Sequence, residues 1–306
     1  MMKKKLTGLL ALGAVASLAL AGCSNGGGDA EGTDEGNASG ASGTIKLGFL
    51  PSWTDGLSTA YLLEDQLGKL GYDVELDEQT EVSVLYAGLA GGDFDMYPSA
   101  WSEATHADYM EQFGDSIEDI GTYYGGAVLT LAVPDYMEDV NSIEDLVGQG
   151  DRFGGQIMGI EPGAGLTKQT QETAMPEYGL DGEYELVTSS TAAMLASLQE
   201  ATANEEDIVV TSWRPFWANS AFSLKDLEDP KGAMGEPEGL HFLGKDGFKA
   251  EFPEAAEFIA GIELSDEAYD SLEGLVTGDE YEGDPEGAVD AWIAENPDAF
   301  PGLLTE

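Results

Sequence analysis

The sequence predicts an α/β protein of two lobes with a ligand cleft between them. Three observations predict it. Short apolar strand patterns alternate with helical ones, in two successive runs along the chain, and repeated βα units build parallel-rich sheets covered by helices. Residues 44–306 are long for one compact unit and suit two. Three tryptophans, Trp53 in FLPSWTDG, Trp101 in MYPSAWSEATH and Trp213 in IVVTSWRPFW, stand where predicted strands run out into Gly/Pro/Ser-rich turns. Strand ends are where open α/β sheets bind ligands.

In the first run, residues 45–50 form an apolar strand pattern and residues 58–70 carry apolar side chains at helical spacing, ending near Gly71. Residues 72–76 alternate like a strand. Residues 81–90 read as a helix closed by Gly91 and Gly92, 94–97 as a strand, 105–113 as a helix and 127–133 as a fully apolar strand. The second run opens with a short helix over 142–146 and a strand over 156–160. EPGAGLTKQTQETAM is then a Gly-rich turn leading into a helix. A strand over 184–187, a helix in SSTAAMLASLQEATANEE with hydroxyl caps, and a buried strand over 208–211 complete it. From about residue 240 the chain reads mainly as helices, over 253–262, 266–274 and 285–295. The first lobe is expected to hold residues 44–134 and 240–306, the second 135–239.

The N-terminal segment addresses the compartment. Residues 1–22 have a basic start (Lys3, Lys4, Lys5) and then an apolar run to Ala21, too short for a membrane span and ending in small residues. Leu20-Ala21-Gly22-Cys23 resembles a bacterial lipobox. That resemblance implies cleavage before Cys23 and a lipid on the sulfur, hence an extracytoplasmic protein anchored to the cell membrane. Cys23 is the single cysteine, so no disulfide forms within the chain. Residues 24–43 (SNGGGDAEGTDEGNASGASG) hold no large apolar side chain and read as a flexible tether.

The formal net charge is −47, and without the leader nine bases face 59 acids, or −50. Such a chain disfavours nucleic acid and anionic lipid as electrostatic partners. Its self-repulsion is screened only where the Debye length falls to about 3 Å, near 1 M salt, which points to a halophilic setting.

The chemistry-bearing residues are few. Three indoles converging on one cleft make a cage for a cation that cannot donate hydrogen bonds, such as a quaternary ammonium. Taken singly, each tryptophan is equally an ordinary packing residue. The turn Glu161-Pro162-Gly163-Ala164-Gly165-Leu166-Thr167 leads from strand to helix, where unpaired N–H groups and the dipole favour a small anion. It lacks the Walker and GxGxxG spacings, and alone it is as well structural. His106 could donate a hydrogen bond to the same anion, or simply sit at a helix start. His241 is the only other histidine, which leaves no material for a zinc cluster. No cofactor is expected. No GxSxG elbow is present in residues 44–306. The acidic stretch 279–284 lacks the calcium-loop pattern and reads as a turn capping the helix after Pro285.

FLPSWTD, LYAGLAGGDFDMYPSAWSEATH, GIEPGAGL, SSTAAMLASL, IVVTSWRPFW and LEDPKGAMGEPEGLHFLGKDGF, in that order, resemble the glycine betaine/proline betaine binding proteins of ABC importers, the OpuAC-like family. The resemblance runs from about residue 45 to 300. It implies a type II periplasmic-binding-protein fold with two crossovers, a non-enzymatic monomer, and delivery of ligand to a membrane permease and ATPase for osmoprotection. It also implies that Trp53, Trp101 and Trp213 form the cage, while the amides of Gly165 and Leu166 with His106 hold a carboxylate. The chain departs from the family's Gly-Trp-x-Pro-His-Trp at Ser212-Trp213-Arg214-Pro215-Phe216-Trp217. That keeps choline, carnitine, ectoine and sulfonium analogues open as ligands. Arg214 is expected to meet the acidic surface rather than a ligand tail. A non-transport sensor or adhesin and an extracellular hydrolase using a carboxylate pair are the alternative classes.

Overall fold

The computed structural model describes residues 42–305. The leader, Cys23 and nearly all of the expected tether lie outside the described residues. The strands are β1 (Thr44–Phe49), β2 (Asp73–Glu78), β3 (Met96–Ala100), β4 (Ile117–Pro134), β5 (Gln156–Met158), β6 (Glu185–Val187), β7 (Val210–Arg214), β8 (Leu224–Asp226) and β9 (Glu238–Lys245). The helices are α1 (Thr54–Leu70), α2 (Val82–Gly91), α3 (Ala107–Phe113), α4 (Gly165–Gln169), α5 (Met175–Tyr178), α6 (Thr191–Asn204), α7 (Trp217–Ala221), α8 (Phe248–Glu251), α9 (Pro253–Ile259), α10 (Asp266–Thr277) and α11 (Pro285–Glu295). A π-helical turn, Thr170–Ala174, joins α4 to α5.

The strands run β2-β1-β3-β9-β4-β7-β5-β6, with β8 alongside β4. β1 pairs in parallel with β2 and β3, and β5 with β6 and β7, as βα units require. The centre is antiparallel: β9 lies between β3 and β4, and β4 pairs with β7 and β8. The sheet is therefore mixed rather than uniformly parallel. β4 belongs to both of its halves. Its first part, to Ala127, pairs with β9, and the part from Val128 pairs with β7 and β8. Register shifts between Asp119 and Ala127 bend it on the way.

Two expectations are corrected. The segment after Glu238 is not simply helical, because β9 fills the middle of the sheet with seven of its eight residues buried. EGLHFLGK is interrupted by Gly and His, so it carries neither a clean alternation nor a helical stripe. The strand expected over 127–133 runs 18 residues, because IEDIGTYYGG, rich in acids and glycines, is held by pairing with β9 rather than by its own propensity.

Other elements follow local chemistry. Ser190 caps α6 by accepting from Ala193 N. Asp284 caps α11 by accepting from Gly287 N, with Pro285 in its first turn. α1 begins at Thr54, four residues before the expected start at 58, so Trp53 becomes its N-cap residue and Asp55 enters its first turn.

Candidate ligand-binding site

The ends of β1, β3 and β5 and the strand β7 deliver every candidate side chain to one crevice. β1 ends at Phe49, and a short turn hands Trp53 to the start of α1. β3 ends at Ala100, so Trp101 opens the loop leading to His106, the N-cap residue of α3. Trp213 sits on β7 opposite Leu129 of β4. Gly165 and Leu166 open α4, where the first backbone N–H groups have no intrahelical acceptor. Trp53, Trp101, Trp213, His106, Gly165 and Leu166 all line a single cavity. Asp55, Thr105, Leu129, Ile160 and Ala164 complete its wall.

The indoles are buried, each 5–7 % exposed, so their N–H groups need partners. Trp101 Nε1 donates to Asp55 Oδ2 at 3.1 Å, and that oxygen also accepts from Ser99 Oγ at 2.6 Å. Trp53 Nε1 donates to Glu161 Oε2 at 3.2 Å. Trp213 is fixed by stacking on Phe216, with centroids 3.8 Å apart and planes at 20°. Phe216, itself not among the lining residues, thus packs against one wall of the cavity. Arg214 bonds to Asp226 of β8 and is not among the lining residues.

His106 is 1 % exposed and stacks on Trp53 with centroids 5.8 Å apart. Burial pushes its imidazole down to about 3, so the ring is neutral. Its Nδ1 lies 3.1 Å from the Tyr86 hydroxyl, and burial pushes that phenol well above its usual range. That hydroxyl has no other hydrogen-bond partner among the described residues, so its O–H is assigned as the donor to Nδ1. This assigns the ring N–H to Nε2, a donor for the cavity. The loop carrying Trp101 and His106 is pinned by β9: Glu238 accepts from Ala104 N at 3.0 Å and from Thr105 N at 3.1 Å.

The two walls meet closely. A Cβ at Gly165 would lie 2.1 Å from the Thr105 carbonyl oxygen, so only glycine fits there. Tyr109 Oη donates to the Gly163 carbonyl at 3.0 Å beside it. Among the described residues no Lys or Arg lines the cavity, whereas Asp55 does and Glu161 is bonded to one of its walls. Burial raises Asp55 against the pull of its Ser99 and Trp101 donors. Beneath it, Thr54 Oγ1 donates to Glu273 of α10, a carboxyl pushed up to about 8 by burial and by Asp55 and Asp270.

Asp55 and Glu161 were not among the residues singled out from sequence. Both lie inside the quoted motifs, but in a chain with 59 acids an acidic residue carries little signal. Their position at strand ends was the available clue.

Fold and crevice together define a substrate-binding protein of the two-sided, cleft-lined α/β kind. The model of the OpuAC family, described as the substrate-binding domain of ABC-type glycine betaine transport systems, matches residues 43–295, and the chain belongs to that family. The family is one of transport substrate-binding proteins rather than enzymes. A glycine betaine/carnitine transport binding protein of Listeria monocytogenes is 37% identical over 155 residues, 49% of each chain, so the match spans about half of that relative. A glycine betaine, L-proline binding protein (ProX) from Borrelia burgdorferi superposes with a TM-score of 0.76 at 30% identity, covering 85% of this chain and 97% of that one. Lactococcal OpuAC, in its closed-liganded conformation with glycine betaine, gives a TM-score of 0.75 at 32% identity, covering 84% and 97%.

The buried Glu273 and His106 make stability depend on pH with opposite signs at the two ends. Glu273 keeps a proton in the folded state that the unfolded chain releases above about pH 4.5, so its contribution is lost as pH rises through about 8. His106 stays neutral while the unfolded chain takes up a proton, so stability is lost as pH falls from about 6.5 toward 3. Glu273→Gln is expected to match wild type near pH 5 in urea unfolding and to exceed it at pH 9 by on the order of 3 kcal/mol. Parallel stability–pH curves for the two proteins would contradict this.

Proposed function

We propose that the chain is the extracytoplasmic receptor of an ABC importer, and that it binds glycine betaine or a related quaternary-ammonium compatible solute. The observation that carries this is the meeting of three buried indoles with the first-turn amides of α4 in one cavity without a cationic lining residue. A trimethylammonium head enclosed by Trp53, Trp101 and Trp213 gains about 0.5–2 kcal/mol per aromatic face. The carboxylate is then held by the Gly165 and Leu166 amides and His106 Nε2, each charge-assisted bond contributing about 1.5–3 kcal/mol. After the costs of ordering and closure, micromolar affinity follows, near −8 kcal/mol.

Residues 44–134 with 240–306 act as one lobe and 135–239 as the other, and the ligand favours the closed state by touching both. Residues 1–22 are the signal peptide. A lipid on Cys23 and the tether to residue 43 keep the monomer at the membrane beside its permease and ATPase. Choline lacks a carboxylate and leaves the Gly165 turn unused, which places it behind the betaines, while carnitine, ectoine and sulfonium analogues stay open as alternatives. The −47 charge belongs to a protein that works in salty surroundings, where the cage, being dry, is little affected by screening.

Isothermal titration with glycine betaine in high salt is expected to give micromolar binding in wild type and none detectable in Trp101→Ala. No heat with betaine, but binding of choline, carnitine or ectoine, would move the ligand within the class. Silence with all four would contradict the receptor reading. Thermal melts are expected to rise from 0.1 M to 2 M salt, and a flat or falling trend would remove the halophilic reading.

A further inference from the structure

Glu161 is 6 % exposed and sits in the turn after β5. Its own side of the cavity supplies most of its partners. Oε1 accepts from Thr191 N at 2.9 Å and Oε2 from Thr191 Oγ1 at 2.9 Å, at the first residue of α6. Its carbonyl accepts from Ala164 N at 3.0 Å and Thr167 Oγ1 at 2.8 Å. The remaining donor comes from the opposite side: Trp53 Nε1, 108 positions away in the chain, at 3.2 Å. No Lys, Arg or His side chain bonds to it among the described residues.

We propose that Glu161 is a cross-cleft latch: a preorganised acceptor on one wall that captures the Trp53 indole N–H of the other wall on closure, orienting the cage and slowing ligand escape. Taking Trp53 as a cage wall rests on the receptor reading above. The latch consists of protein atoms alone, so it favours the closed form with any ligand that fits. Because His106 stacks on Trp53, holding that indole also steadies the donor facing the ligand's anionic end. The other bonds across the crevice are weaker candidates. Lys168 with Asp108 is exposed at both ends, where ion pairs contribute little, and Tyr109 donates to a backbone carbonyl that carries no charge.

Stopped-flow fluorescence with glycine betaine tests this on wild type, Glu161→Gln, Thr191→Val, Trp53→Phe and the Trp53→Phe/Glu161→Gln double variant. A charge-assisted bond lost on one side predicts a rise of about 10- to 100-fold in koff and Kd for Glu161→Gln, with kon changed by less than about threefold. Trp53→Phe keeps an aromatic face but has no N–H, so adding Glu161→Gln to it should change Kd by less than about twofold if the two act as a pair. Wild-type koff in Glu161→Gln overturns the latch, as does an undiminished effect in the Trp53→Phe background. Thr191→Val reproducing the full loss also overturns it, because Glu161 would then act through α6. Where Trp53→Phe binds too weakly to read, exchange of the Trp53 indole proton decides. It should be protected in liganded wild type and unprotected in liganded Glu161→Gln, and equal protection overturns the proposal. Wild type that binds neither glycine betaine, choline nor carnitine would overturn the receptor reading itself, whereas wild-type binding with an indifferent Glu161→Gln overturns the latch alone.

Discussion

Two of the three indoles that line the cavity, Trp53 and Trp101, have their N–H groups bonded to buried carboxyl groups, and much of this site depends on those pairings. Water is absent from a dry wall, and an orphaned N–H there costs about 1–3 kcal/mol. Trp101 meets the requirement with Asp55 and Trp53 with Glu161. Both acceptors are buried carboxyl groups. They also leave the cavity bordered by carboxylates with no basic residue in its lining. The same choice that orients the rings therefore biases the space toward cations. First-turn amides of α4 and neutral His106 line the same cavity without adding formal positive charge. The result is a bipolar pocket built from groups that are individually neutral or acidic.

The acids come at a cost in stability. Asp55 and Glu273 are buried close together, and both are pushed upward by desolvation. Ser99, Tyr123 and Thr54 share the hydrogen bonding around them: Ser99 Oγ lies 2.7 Å from Tyr123 Oη and donates to Asp55, while Thr54 donates to Glu273. A well-packed apolar substitute would often be as stable or more so. Retaining ionisable groups at this depth makes sense at a binding site, where strained or desolvated groups are expected to gather.

Much of the site was legible in the sequence because the tryptophans and the Gly-rich turn punctuate strand ends, where a side chain has no sheet neighbour to explain it. Trp53, Trp101, Trp213, His106, Gly165 and Leu166 all reach the same cavity. The legible part of the fold was local: Asp284 before Pro285 and Ser190 before α6 both cap as their chemistry dictates. What escaped is non-local. β9 is a strand because β3 and β4 flank it, and the first half of β4 is extended because β9 holds it. Neither fact is written in the periodicity of those segments. Asp55 and Glu161 escaped for a different reason. Burial sets them apart, with Glu238 and Glu273, from the other acids among the described residues, and burial is a property of the folded chain.

The central claim is that the three indoles recognise positive charge and not merely a trimethylated shape. The most direct test is calorimetric comparison of glycine betaine with 3,3-dimethylbutanoate, which replaces the quaternary nitrogen by carbon and keeps the carboxylate, the methyl groups and the outline. The account predicts that the neutral-headed analogue binds at least about 100-fold more weakly, the loss expected from three cation–π contacts. Equal affinity for the two would show that the cavity reads only shape and apolar surface, and would contradict the account.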